Sequence, residues 1–163
     1  MLATINTYYV VKSIHTMSVI ATFGVAFLYP LVFTITVRHD PRSLPAMHRI
    51  EYTIERLLIL PGLMVVVLTG VDATGLARHW GKFFVQWGLG AVVVLGVVVA
   101  YVMIPTAERA AALAERDLAS SPEGTIELSD EYRLLARRLL VVATLLCALV
   151  LVTTLFMAVG LQI

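Results

Sequence analysis

Lys12 and His15 stand one helical turn apart at the head of a run that carries no other charged residue before Arg38. Neutral imidazole is a usual axial ligand of haem iron, and an ammonium one turn nearer the surface suits a haem propionate. The plainer alternative is an imidazole hydrogen-bonded to a neighbouring carbonyl and a lysine that snorkels to an interface. "RHWGKFF", Arg78 to Phe84, offers His79 and Lys82 as a second axial ligand and a second propionate partner, or as an interfacial anchor beside Trp80. Glu55 and Arg56 pose the same question, with an ordinary interfacial charge pair as the plain reading. His39 and His48 fall among arginines and read as solvated loop residues.

The elements that must hold these groups follow from hydropathy. Hydrophobic residues make up 60% of the 163 positions and charged ones only 14%, and mean hydropathy is +0.90. A water-soluble domain of this length cannot hide so much apolar surface. A helix needs about 20 apolar residues to cross hydrocarbon about 30 Å thick. Four segments qualify, at about 8–37, 52–71, 83–107 and 139–161, the second taking Glu55 and Arg56 into its first turns. The expectation is an all-α, single-domain bundle of four transmembrane helices in a cell (inner or plasma) membrane. If the first helix enters near Tyr8, His15 lies roughly 10 Å along it.

Basic residues set the expected orientation. Arg38, Arg42, Arg49 and Arg56 flank the first connection, and Arg109, Arg116, Arg133, Arg137 and Arg138 the third; Lys12, Arg78 and Lys82 fall on the opposite side. The positive-inside rule then places both termini on the outer face. It makes 106–138 a cytoplasmic helical hairpin extending spans three and four, broken at "SSPEG" (Pro122, Gly124) and restarted with Ser129 as N-cap. The N-terminus lacks the basic start and small-residue cleavage site of a signal peptide, so the first span is expected to be retained.

Small residues mark where membrane helices approach closely: Ser18, Thr22 and Ala26 in the first span, Gly62 and Gly70 in the second, Gly96 and Ala100 in the third. Pro30 and Pro61 should kink their helices. A net charge of +1 gives no reason to expect nucleic-acid binding. The lone Cys147 forms no internal disulfide. Zinc-type spacings and phosphate-binding glycine loops are missing.

Several of these features together resemble the HemJ type of protoporphyrinogen IX oxidase and the wider group of small four-helix membrane proteins around it, including CopD-like and uncharacterised predicted integral membrane families. The resemblance is carried by "KSIH" (Lys12 to His15), Phe23-Gly24 and "FLYP" (Phe27 to Pro30) in the first span. "IERLLILPGLMVVVLTG" (Ile54 to Gly70) in the second and, more loosely, "HWGKFF" (His79 to Phe84) add to it. It covers about half the chain. The chain departs from the oxidase pattern at Thr22, where a tryptophan is usual, and at Leu31, where an arginine is. An uncharacterised sister family on the same scaffold matches best.

The resemblance implies haem b with His15 on the iron and a functional lysine carried onto Lys82. It also implies oxidation of a lipophilic substrate such as protoporphyrinogen, with a quinone as electron acceptor. The other readings are a non-catalytic subunit of a homo-oligomer or larger membrane complex, and a CopD-like transport or metal-handling role. Against copper, the six methionines and one cysteine form no cluster.

Overall fold

In a membrane the backbone must satisfy its own hydrogen bonds, and helices do this within one segment. The structure, a computed structural model, describes residues 6–121 and 126–160. Among them four helices are long and apolar enough to cross a membrane: Thr7–His39, Pro41–Ala77, Phe83–Ser120 and Asp130–Val159. Large apolar side chains such as Met17, Leu57 and Leu145 are exposed on the outside of the bundle, compatible with a multi-pass membrane protein.

The first connection is far shorter than its polar sequence suggests. The helix stops at His39 because Pro41 disfavours helical backbone at Asp40 (φ −148°, ψ 72°). A single turn, Pro41–Ser43, follows before the chain is helical again from Leu44. The second span therefore begins well before residue 52, and the polar stretch ahead of it is helix rather than loop. At its other end Arg78 adopts the left-handed conformation (φ 53°) and closes the helix.

Prolines reshape three helices without ending them. A 3₁₀ segment, Gly24–Leu28, precedes Pro30, and π-helical turns, Glu55–Ile59 and Val99–Met103, precede Pro61 and Pro105. Proline has no N–H, and its ring presses on the carbonyl four residues back; a change of helical pitch relieves the contact. The Ala26 carbonyl, which accepts the Tyr29 N–H where Pro30 offers none, also accepts the Cys147 thiol at 3.6 Å.

The first and second spans make the closest approach. A β-carbon on Gly62 would collide with the Thr22 side chain, and one on Gly70 would lie 3.0 Å from His15 Cε1. The alanine-rich stretch after Pro105 is not a solvated arm as its charges suggest. Ala107, Ala110 and Ala114 are fully buried against Leu44, Met47, Tyr132 and Ala136. Glu108, Arg109, Glu115 and Arg116 keep the outer side. Ser129 caps the fourth span by accepting the Tyr132 N–H at 3.2 Å. Asp117 holds the cap in turn, its Oδ2 accepting from the Ser129 N–H (2.8 Å) and hydroxyl (2.5 Å). The expected break at Pro122 and Gly124 lies outside the described residues.

Candidate functional site

Helical spacing puts His48, Glu51 and Glu55 on one side of the second span, one turn after another. That side faces inward. His48 is 0%, Glu51 8% and Glu55 4% exposed. The reading of His48 as solvated is overturned, because the helix runs back through it and turns it toward the third and fourth spans. The Glu55–Arg56 pair does not form either. Arg56 is exposed and donates to the Tyr52 hydroxyl at 2.6 Å, its guanidinium 5.9 Å from the centre of the Tyr52 ring.

The interior polar groups form a short chain. His48 Nδ1–H donates to Glu51 Oε2 at 3.1 Å, and the Tyr132 hydroxyl donates to His48 Nε2 at 3.0 Å. Rings continue the chain from Tyr132 through His48 and Phe33 to Tyr29, with centroids 5.8, 6.1 and 6.1 Å apart. Tyr29 lies beside both Glu51 and Glu55. Both imidazole nitrogens of His48 are thus committed. The Tyr29 hydroxyl lies against the Glu51 carboxyl, while Glu51 Oε1 and Glu55 Oε2 are buried without a close hydrogen-bond partner among the described residues.

All three of these residues line a cavity of about 200 Å³. The rest of its wall is apolar apart from the Cys147 thiol and includes Phe23, Ile59, Leu95 and Val99. Along one side are Leu28, Val32 and Ile50, 55%, 44% and 61% exposed, so the cavity meets the outer, apolar surface of the bundle. The two π turns pack on each other here, and Ile59, Val99 and Met103 from them form part of the wall. The arrangement is an apolar chamber with the polar side chains of Tyr29, Glu51 and Glu55 together in its lining.

The residues singled out from sequence lie at the opposite end of the second span. His15 is half-buried against it. Its Nδ1–H reaches the Val66 carbonyl at 3.0 Å and the Thr69 hydroxyl oxygen at 3.1 Å; that hydroxyl donates onward to the Val65 carbonyl. Lys12 is exposed. His79 stacks edge-on against Phe84 at 5.9 Å and precedes Lys82 in the short connection between the second and third spans. All four therefore share one end of the bundle, but His15 contacts the second span and His79 contacts Phe84.

Glu51, His48, Tyr29 and Tyr132 were not recognisable as a site from composition or charge. The available signal was the i, i+3, i+7 spacing of His48, Glu51 and Glu55 leading into an apolar run, which reads as one face only once the segment is taken as helix. Among the described residues no group of three or more His, Cys, Asp or Glu is placed to hold a metal ion. No protein-family model, curated protein or solved structure matches the chain.

Proposed function

We propose that the chain is a multi-pass membrane protein that takes a small, mostly apolar molecule from the bilayer into the cavity beside Glu51 and Glu55. The observation that carries this reading is the pair of buried carboxyls, Glu51 and Glu55, each with an oxygen that lacks a close partner among the described residues, on the wall of an otherwise apolar chamber. A buried polar group without a partner costs about 1–3 kcal/mol, a cost that a ligand with matching donors relieves. The exposed apolar residues at the chamber's side suit entry from lipid rather than from water. On the arginine distribution the cavity lies in the cytoplasmic half of the membrane, both termini lie outside, and the helical hairpin of 106–138 is cytoplasmic.

Cys147, the chain's one cysteine, lines the cavity and reports on its occupancy. An apolar cavity of about 150 Å³ accepts benzene, so toluene is a suitable first probe. In membrane vesicles, toluene is expected to slow N-ethylmaleimide labelling of Cys147 several-fold. It should leave a lipid-facing control, Leu145→Cys with Cys147→Ser, unchanged. Equal rates with and without toluene at Cys147 would discard the reading.

A second reading is favoured by one observation at the other end of the second span. The bonds from His15 Nδ1–H leave Nε2 with its lone pair, the arrangement in which ligating histidines are held. In this reading, which follows the HemJ-type resemblance, haem b would be held by His15 on the iron, with Lys12 and Lys82 toward the propionates and His79 as a candidate second ligand. Haem would supply one-electron chemistry, and a lipophilic substrate such as protoporphyrinogen would be oxidised with a quinone as electron acceptor. His15 would hold the group, while Gly70 leaves the imidazole room to lie close to the second span.

A further inference from the structure

We propose that the cavity's ligand is a primary ammonium on a ring-sized apolar body. The inference rests on the reading that the cavity takes a ligand and names the chemical class. A primary ammonium offers three N–H donors and no acceptor. Glu51 Oε1 and Glu55 Oε2 are carboxyl oxygens without a close partner among the described residues, and both residues line one chamber with Tyr29, whose hydroxyl lies against Glu51. Glu51 and Glu55 are each more than nine-tenths buried.

Among the described residues no cation pairs with Glu55, and the nearest basic groups are turned elsewhere. Arg56, next to Glu55, is turned outward onto Tyr52, and His48 spends both nitrogens on Glu51 and Tyr132. An ionised carboxylate in apolar surroundings is costly unless it is paired. A single ammonium needs only one of the two carboxyls ionised, so the loaded chamber carries no net charge.

Other donors match less well. A hard metal cation takes about six oxygens or more, and here the lining has only the side chains of Tyr29, Glu51 and Glu55 to offer them. An alcohol brings one donor and no charge to two carboxyls. The apolar remainder of the chamber, about 200 Å³ in all, requires a hydrocarbon body, and a six-membered ring with one methylene suits that volume by comparison with benzene in about 150 Å³.

The test compares cyclohexylmethylamine with the isosteric cyclohexylmethanol as protectors of Cys147 from N-ethylmaleimide, in vesicles of the full chain. The amine is expected to protect at a concentration about tenfold lower than the alcohol, the worth of one charge-assisted hydrogen bond. In the double variant Glu51→Gln with Glu55→Gln, which keeps the shape of the wall, that advantage should shrink to nearly nothing while toluene still protects. Because the amine-to-alcohol ratio is compared between the two proteins, partition of the probes into lipid cancels. Equal protection by amine and alcohol in the wild type overturns the ammonium assignment and leaves the apolar-ligand reading standing. So does an advantage that survives in the double glutamine variant. Failure of toluene, amine and alcohol alike removes both.

Discussion

An imidazole with one nitrogen committed has a different repertoire from one with both committed. His48, hydrogen-bonded on both sides and fully buried, positions Glu51 and ties it to Tyr132 on the fourth span. His15 anchors Nδ1 on the second span and keeps Nε2 for a further partner. The contrast makes His15 the histidine to test for haem. Protein purified in mild detergent from haem-replete cells is expected to show a Soret band and sharp dithionite-reduced α and β bands. His15→Ala should lose them and His48→Gln keep them. A featureless wild-type spectrum would retire the haem reading and leave His15 as a packing residue between the first two spans.

At the scale of elements, small residues and prolines decide how the helices meet. The first and second spans approach so closely that Gly62 has no room for a β-carbon against Thr22, which is itself 2% exposed. Gly62→Ala is therefore expected to destabilise the protein by about 1–3 kcal/mol, as overpacking does. Thr22→Ala should recover most of the loss, since it removes the atoms in the way. Gly96→Ala, with only Leu63 Cδ1 at 4.0 Å, should melt like the wild type. Thermal melts of the four proteins in one detergent check this, and a Gly62→Ala melt equal to wild type would show that the contact is slack. The prolines act differently. Pro61 and Pro105 each follow a π turn, and the two turns pack together at the cavity wall. The chamber thus lies where two helices are locally widened rather than where regular helices interlock.

At the scale of the molecule, the buried side chains of the described residues form two clusters. One gathers Leu44, Met47, Ala107, Ala110, Tyr132 and Leu139; the other gathers Phe23, Ile59, Leu63, Leu95, Val99 and Val150. The cavity takes wall residues from both and so occupies the seam between them. Exposed ion pairs, Arg49–Glu115 at 2.6 Å and Arg109–Glu131 at 2.5 Å, link the second span to the third and the third to the fourth at the arginine-rich end. Such exposed pairs add little stability; the alanine packing beneath them brings the elements together. Under the proposed orientation this end faces the cytoplasm. In a Cys147→Ser background, an impermeant maleimide applied to intact cells is expected to label Gly81→Cys, which is exposed with open space around its α-carbon. Ser120→Cys should label only after permeabilisation, and the reverse pattern would invert the orientation.

Sequence by itself determined the class of molecule. Hydropathy over stretches of some twenty residues makes four helices suited to hydrocarbon unavoidable, since no other open backbone satisfies itself there. It also marked Gly62, Gly70 and Thr22 as contact residues and Ser129 as a cap, because small size and capping are local properties. Only the tertiary structure decided where the interior chemistry lies. Charge beside arginine reads as loop, and nothing local shows that the Asp40–Pro41 break is so brief that the helix restarts at Leu44 and turns His48, Glu51 and Glu55 inward. Whether a buried oxygen finds a partner depends on which spans face it, and Tyr29 and Tyr132, far apart in the chain, meet that acidic face only in the folded bundle.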